Sequence, residues 1–105
     1  MKHKNFKPYY AVIFTSLKKE NTTEYDEMGE KMVALARQQP GFIGVDSARN
    51  DVGITVSYWE TTQAILQWKA NTDHLIAQRN GKEKWYSWYN VKICLVEREY
   101  SFENL

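Results

Sequence analysis

The chain has 105 residues, a length that allows one domain, and its formal net charge of +1 comes from 14 Lys and Arg against 13 Asp and Glu. A charge so close to zero supplies no field that would hold a polyanion, which argues against a nucleic-acid partner. No apolar run approaches the length of a membrane span, and a single cysteine, Cys94, cannot form an internal disulfide. These features favour a cytoplasmic protein that has no membrane partner.

The first half of the chain changes from a strand pattern to a helix pattern. Residues 1–8 are expected to form an N-terminal tail. Residues 9–17 are rich in β-formers and apolar at both parities, as in a strand that is covered on both faces. Thr23 followed by Asp26 resembles a capping box that begins a helix, and Pro40-Gly41 ends it.

The second half of the chain repeats this change. Residues 42–49 and 54–60 are predicted to form a hairpin, and a helix begins at the threonine pair 61–62. A helix broken near 71–72 is the alternative to a continuous one, and residues 91–100 are predicted to form the last strand. The resulting order βαββαβ predicts an α+β, ferredoxin-like fold, in which a four-stranded antiparallel sheet carries both helices on one face.

The predicted first strand also bears on assembly. Both of its faces are apolar, because Tyr9, Ala11 and Ile13 occupy one parity and Val12 and Phe14 the other. Helices can cover only one of these faces, so a second copy of the sheet is expected to cover the other. The sequence therefore predicts a homodimer, with a monomer that leaves an aromatic face in water as the alternative.

Several short motifs in the middle of the chain carry a family resemblance. Gln39–Val45, Gly53–Glu60 and the helix with Ala64-Ile65 and Trp68 occur in an order and at a spacing that resemble the antibiotic biosynthesis monooxygenase domain family. The resemblance implies a dimeric α/β barrel, which agrees with the dimer expected from the apolar first strand.

The resemblance continues into the last third of the chain. Asp73–Gln78, Trp85-Tyr86 and Val96–Arg98 resemble one bacterial branch of that family, whose members are mostly of unknown function. The similarity covers nearly the whole chain. It defines a family-like domain at 9–102, followed by a C-terminal tail at 103–105.

The family resemblance implies a class of chemistry. Some members oxygenate polyphenolic substrates with molecular oxygen and no prosthetic group, so the substrate supplies the electrons and the protein binds an aromatic anion in a dry pocket. The chain has no Gly-rich nucleotide fingerprint, no paired cysteines and no His-Glu-x-x-His motif, so we expect no cofactor and no metal. The predicted function is a cofactor-independent monooxygenase acting on a small aromatic or polyphenolic compound. A non-catalytic protein that binds or senses a small molecule is the alternative.

Other members of the family bind haem and break its ring. They resemble one another in an Asn on the first strand, a Trp on the second helix and a ligating His about one helical run later. Trp68 matches the tryptophan, but the first strand has Phe14-Thr15-Ser16 at the Asn region, and Gln78 and Arg79 occupy the positions of the histidine. The departure removes the metal ligand itself, which disfavours haem degradation.

Two residues of the second helix are the catalytic candidates. Trp68 can stack on a flat substrate while its indole N–H donates a hydrogen bond, and histidine, here His74, is the side-chain type that exchanges protons near neutral pH. On an unbroken helix these residues are six positions, or about 120°, apart, so they share a pocket only if the helix breaks near 71–72 or the pocket is wide. Ser47 and Arg49 could recognise an anion. The alternative for Trp68 is plain core packing, and the alternative for His74 is a structural role. The alternative for Arg49 is a position on the solvated surface.

The substrate-binding candidates come from the aromatic-rich stretch that contains all four tryptophans. They are Tyr58, Arg79, Trp85 and Trp88. Tyr58 and Trp59 point to opposite faces of their strand, so only one of them can face the helices. Such a concentration of large rings favours a lined pocket or a subunit interface, although aromatic side chains also serve as plain core.

Overall fold

The computed structural model describes residues 6–19, 23–78 and 86–104. It confirms the βαββαβ order, with four strands in one antiparallel sheet of spatial order β2-β3-β1-β4. The elements are β1 (Tyr9–Lys18), α1 (Thr23–Arg37), β2 (Phe42–Arg49), β3 (Gly53–Trp59), α2 (Thr62–Gln78) and β4 (Tyr86–Val96). The ferredoxin-like arrangement predicted from the sequence is therefore present.

The core lies where both helices pack on the same face of the sheet. Trp59 is fully buried at its centre, with Val12 of the neighbouring strand and Ile65 of α2 packed around it. The Trp59 ring meets the ring of Phe42 edge-on at 5.3 Å between centroids. Because large apolar side chains contribute most of the burial in a domain of this size, this cluster fixes how α2 sits on the sheet.

The start of α2 is fixed by two local contacts. The hydroxyl of Thr61 accepts a hydrogen bond from the backbone N–H of Ala64 at 3.0 Å, so Thr61 is the N-cap. Gly41 has a φ of 89°, and a side chain there would come within 2.9 Å of the Ala64 Cβ. Glycine therefore allows the β2 entry to pass close under the first turn of α2. From this start α2 runs unbroken to Gln78.

The last strand differs from the sequence prediction, which placed it at 91–100. It begins at Tyr86 and ends at Val96. Its length follows from its neighbour, because β1 offers partners only from Lys18, opposite Tyr86, to Tyr9, opposite Val96. The pattern of aromatic residues from 86 to 89 is compatible with either a helix or a strand. In the structure these residues pair with β1 and are therefore part of the strand.

A tyrosine at the end of β1 gives the fold an alkaline pH dependence. The Tyr9 hydroxyl donates a 2.6 Å hydrogen bond to Oε1 of Glu99, and this bond, with partial burial, raises the pKa of Tyr9 from 10.0 to about 12. A pKa that is higher in the folded than in the unfolded state favours folding below pH 10. That contribution is lost as the pH rises through about 12.

We therefore expect Tyr9→Phe to lose stability at neutral pH but to show a flatter fall in unfolding free energy than the parent between pH 10 and 12. Urea unfolding at a series of alkaline pH values measures this slope. Tyr100→Phe, which removes the hydroxyl of a largely exposed tyrosine, is the matched control and should keep the parent slope. Equal slopes for the parent and Tyr9→Phe would contradict the role of this hydrogen bond.

Candidate functional site

A cavity of about 240 Å³ lies between the sheet and the two helices, and we call it the inner cavity. Its sheet side is formed by Val12, Phe14, Thr55, Ser57, Tyr86, Tyr89, Val91 and Ile93. Its helix side is formed by Gly29, Met32, Val33, Ile65, Trp68, Lys69, Thr72 and Asp73. Val91 and Ile93 are about half exposed although they line the cavity, because β4 is an edge strand that the helices do not cover. The cavity therefore opens toward the β4 edge.

Three aromatic rings form one wall of the inner cavity. Phe14 lies 5.6 Å from Tyr86 and 5.3 Å from Tyr89 between ring centroids, and the two tyrosines are 5.4 Å apart. Alternation turns Phe14 and Tyr89 to the helix side, and the register shift between Leu17 and Lys18 brings Tyr86 to the same side. The three rings support one another in tilted and edge-on contacts, which gives the cavity a rigid aromatic surface.

Trp68 forms the opposite wall. Its ring packs against Trp59 at 5.2 Å between centroids, and its indole N–H donates a 3.2 Å hydrogen bond to the backbone carbonyl of Met32 in α1. The sequence predicts that this N–H faces a bound molecule, but in the structure it joins α2 to α1. Trp68 therefore contributes an aromatic surface to the cavity and fixes the spacing of the two helices above it.

The most buried polar group of the cavity is Ser57, whose side chain is 4% exposed. Its oxygen accepts a 2.9 Å hydrogen bond from the indole N–H of Trp59. A serine hydroxyl has one proton to donate and two lone pairs, so accepting from Trp59 leaves the proton available for a molecule in the cavity. Because Trp59 holds the oxygen in place, this donor is positioned in advance inside an apolar site.

Two charged side chains stand at the rim of the cavity. The ammonium group of Lys69 lies 2.7 Å from Oδ2 of Asp73 one turn further along α2, and both side chains are mostly exposed. Thr72, between them on the helix surface, is buried and donates its hydroxyl to the backbone carbonyl of Lys69 at 3.0 Å. The rim therefore offers both a cation and a carboxylate to a ligand that enters the apolar interior.

The catalytic candidates do not come together in the structure. His74 is exposed on α2 and is not part of the cavity wall, because α2 has no break near 71–72 that would turn it toward Trp68. Lys69 and Asp73 are the ionisable groups of α2 that line the cavity instead. The positions of Trp68, Thr72 and Asp73 follow helical spacing, which could have indicated this face from the sequence.

The substrate-binding candidates are also divided. Tyr58 and Trp88 lie on the face of the sheet that is turned away from the helices, where the Tyr58 hydroxyl donates a 2.9 Å hydrogen bond to Asp46. That bond raises the pKa of Tyr58. Arg79 and Trp85 lie outside the described residues. Trp59, and not Tyr58, faces the helices, which resolves the choice that strand alternation left open.

The predicted anion-binding pair lies in a separate groove of about 590 Å³ beside α1. Ser47 and Arg49 both line it, and the Arg49 guanidinium donates a 2.6 Å hydrogen bond to the fully buried hydroxyl of Ser16. The guanidinium lies over Gly53, where any side chain would collide with it. The geometry therefore gives Arg49 a structural contact to the end of β1.

Two further observations concern cofactors and membranes. Within residues 6–19, 23–78 and 86–104 there is no group of three or more His, Cys, Asp or Glu side chains placed to hold a metal ion. None of the helices in the described part of the chain combines the length and apolar character that a membrane crossing requires.

Comparison with known proteins identifies the family. The sequence pattern of the antibiotic biosynthesis monooxygenase family matches residues 8–80. The chain belongs to this family. It is also 49% identical over 98 residues to the uncharacterised protein YqjZ of Bacillus subtilis (strain 168), a match that covers 91% of this chain and 86% of that protein.

Solved structures show the same fold. PA3566 from Pseudomonas aeruginosa is 20% identical with a TM-score of 0.65, and the match covers 90% of this chain and 97% of that one. SnoaB from Streptomyces nogalater, a cofactor-independent oxygenase, is 12% identical with a TM-score of 0.64, and the match covers 94% of this chain and all of that one. At these identities the likeness shows a shared fold.

Proposed function

We propose that this member of the family is a cofactor-independent monooxygenase that oxidises a small aromatic or polyphenolic compound with molecular oxygen. The observation that carries the proposal is the inner cavity, which is apolar, walled by aromatic rings on both sides and supplied with one buried hydroxyl donor. Family membership and the fold shared with SnoaB support the same class of reaction.

The size of the inner cavity suits a flat ring system. An apolar cavity of about 150 Å³ in a protein core holds one benzene molecule, so a cavity of about 240 Å³ accommodates a larger, fused aromatic body. Trp68 offers a ring surface on the α2 side, and Phe14 and Tyr89 offer theirs on the sheet side. A ligand between these walls gains stacking contacts and loses contact with water.

The proposed reaction uses the substrate as its own reductant. A phenolic compound with an activated CH₂ group, such as an anthrone, loses a proton, and its anion gives electrons to O₂. One oxygen atom forms the new C=O group and the other leaves with two hydrogens as water, so atoms and electrons balance. The Ser57 hydroxyl donates to the oxygen on which the negative charge of the anion develops, and Lys69 adds a positive charge at the rim. Asp73 is the carboxylate placed to receive the proton.

Oxygen consumption tests this proposal. The purified chain, dialysed against a chelator, should consume one O₂ for each anthrone-like molecule oxidised, without added metal, flavin or nicotinamide. Trp68→Ala should raise KM by about 10-fold because a stacking surface is lost, whereas Leu66→Ala, on the exposed side of the same helix, should leave KM unchanged. Binding without oxygen uptake would favour the small-molecule binder. If a panel of phenolic compounds gave no binding and no oxygen uptake, a phenolic ligand would be refuted.

We further propose that the protein acts as a homodimer. The face of the sheet away from the helices carries apolar side chains that the described chain does not cover, including Ile54 at 46% exposure and Trp88 at 44%. Large exposed apolar faces on a small domain are typical of interfaces. Light scattering at micromolar concentration should report about twice the 12.4 kDa chain mass, and a stable monomer would contradict the dimer.

A further inference from the structure

The inner cavity and the groove beside α1 share part of their lining. Gly29 and Val33 of α1 and Thr55 of β3 line both spaces. From these residues the groove extends toward β2, whereas the inner cavity extends toward β4. The two spaces therefore meet beneath α1, and we call this meeting point the junction. Gly29 and Val33 lie above the junction, and Thr55 lies below it.

One row of the sheet forms a continuous floor below the junction. Thr55 pairs with Ser47 of β2 on one side and with Phe14 of β1 on the other. Phe14 pairs in turn with Val91 of β4. Residues directly opposite one another on neighbouring strands project to the same face, so the whole row faces the helices. Because Ser47 lines the groove and Phe14 lines the inner cavity, a molecule that lies along this row reaches from one space into the other.

The space above the junction is open because position 29 is a glycine. Beyond the backbone of its own helix, a Cβ added there would meet no atom within 4 Å, and the φ of Gly29 does not lie in the left-handed region. Neither packing nor backbone conformation therefore requires a glycine. A glycine inside a helix is less favourable than alanine, so α1 loses stability at this position. What the glycine provides is open space between the groove and the inner cavity.

A half-buried cation lies beside the junction. Arg49 pairs with Gly53, and its guanidinium lies over that glycine and donates a 2.6 Å hydrogen bond to the buried hydroxyl of Ser16. Gly53 precedes Thr55 by two residues on the same face of β3, a distance of about 7 Å. The bond to Ser16 holds the guanidinium in one position, and partial burial reduces the screening of its charge. The groove therefore presents a fixed positive charge within reach of a molecule at the junction.

The charged residues that line the groove are Arg37, Arg49 and Glu30. Arg37 and Glu30 are exposed on α1, so their opposite charges offset one another and water screens what remains. The positive charge that an anion meets in the groove is therefore that of Arg49. A single positive charge favours a singly charged carboxylate over a phosphate group, which carries nearly two negative charges at neutral pH. The planar guanidinium also matches the planar carboxylate.

We propose that the substrate is an aromatic compound with a short carboxylate arm, whose ring system occupies the inner cavity and whose carboxylate binds Arg49 in the groove. This inference rests on the proposed function and specifies its substrate class. The arm passes through the junction, below Gly29. An ion pair with the guanidinium takes up about 3 Å of the distance between Gly53 and Thr55, so about 4 Å remain for the arm. The carbon chain of a propionate spans that length.

Ser57 gives the ring system a second polar contact in line with the first. Gly53, Thr55 and Ser57 are alternate residues of β3, so all three face the helices, and about 14 Å separates the first from the last. The proposed reaction places the phenolic oxygen at the Ser57 hydroxyl. Two polar contacts of about 3 Å each and an arm of about 4 Å leave about 4 Å for the ring system. This length suits two fused rings that carry the hydroxyl and the arm at opposite ends.

Three probes test the carboxylate site in the unmodified chain. The first is a hydroxynaphthalene with a propionic acid arm at the far end of the ring system, the second is the carboxamide of that acid, and the third is the hydroxynaphthalene without an arm. Isothermal titration calorimetry under nitrogen at neutral pH measures their dissociation constants without turnover. The acid should bind at least about 10-fold more tightly than the other two, because only the acid forms a charge-assisted bond with the arginine. Equal binding of the acid and the carboxamide would overturn the proposal.

Gly29→Leu tests the path of the arm. A leucine side chain fills the junction, so it should weaken binding of the acid by at least about 10-fold and leave binding of the armless hydroxynaphthalene within about 3-fold of the parent. Glu27→Leu is the matched control, because it places the same side chain on the same helix at an exposed position that lines neither space. It should change no dissociation constant by more than about 2-fold. Unchanged binding of the acid to Gly29→Leu would overturn the path through the junction.

Arg49→Gln tests the partner of the carboxylate. Glutamine keeps an N–H donor for Ser16 and removes the charge, so the acid and the carboxamide should bind within about 2-fold of each other. The carboxamide should bind as it does to the parent, which reports that the fold is retained. A persisting preference for the acid would rule out Arg49 as its partner. If this variant does not fold, the preference of the parent and the effect of Gly29→Leu decide the proposal.

The outcomes separate this inference from the proposed function. If none of the three probes binds, the ring site and the arm site are refuted together. If all three probes bind equally, the carboxylate arm is refuted and the ring site stands. Oxygen uptake is measured separately, and its absence beside a clear preference for the acid would refute the oxygenase and leave the binding site in place.

Discussion

Trp59→Ala should lower the unfolding free energy by about 3–5 kcal/mol, the largest loss expected from any single truncation in the described core. The ring is fully buried, contacts Phe42 and Trp68 and holds the hydroxyl of Ser57. Its removal leaves a void at the point where α2 rests on the sheet. Because a domain of this length has roughly 5–15 kcal/mol of stability in total, the substitution should remove a large share of it.

Urea unfolding followed by far-ultraviolet circular dichroism measures this loss without depending on tryptophan fluorescence. Leu66→Ala is the control, since Leu66 is 63% exposed on the same helix and should change the unfolding free energy by no more than about 0.5 kcal/mol. Trp59→Phe should fall between the two, because it keeps part of the volume and removes the N–H donor. A loss below about 1 kcal/mol for Trp59→Ala would show that the cluster is not the centre of the core.

Ser57→Ala should lower kcat/KM for a phenolic substrate by about 10²-fold, because it removes a preorganised hydroxyl donor from the developing anion. A structural defect alone would also slow the reaction, so the pH profile is the decisive readout. Loss of the donor makes the bound phenol harder to ionise, so the acid limb of the pH profile of kcat, which reports groups in the enzyme–substrate complex, should move to higher pH. An unchanged limb would leave Ser57 as a structural partner of Trp59.

His74→Ala is the companion variant. His74 is exposed and lies outside the cavity wall, so we expect its loss to change the rate by less than about 3-fold. Asp73→Asn, at the cavity rim, should have the larger effect. A loss of about 10²-fold for His74→Ala would instead support the role of His74 as proton acceptor.

The sequence predicts the fold well because its signals are local and mutually consistent. Residues 42–49 were predicted as a strand and form β2 without change, and Thr61 caps α2 as one of the two expected threonines. The apolar residues of β1 also occur at both parities, as expected of a strand with no polar face. In each case the pattern depends on one or two neighbouring elements and not on the details of packing.

The candidate site is less accessible to sequence reasoning because it depends on which parity faces the helices. Alternation shows that Tyr58 and Trp59 point in opposite directions, but only packing decides that Trp59 is the inner residue. Aromatic character alone predicts Trp88 in the pocket, but its register opposite Leu17 places it on the face of the sheet that is turned away from the helices. Ser57 was missed because a serine in an apolar strand resembles an outward position, until its bond to Trp59 is seen.

The two-sided character of β1 also constrains how this protein can change by insertion or deletion. Val12 and Phe14 face the helices and the inner cavity, while Ala11 and Ile13 face the open side. Adding or removing one residue within β1 would exchange these two sets, since side chains alternate along a strand. Such an event would damage both the cavity and the opposite face of the sheet, with no compensating change at either. Homologues of this chain should therefore differ in length at its ends, whereas within β1 they should differ only by point substitutions.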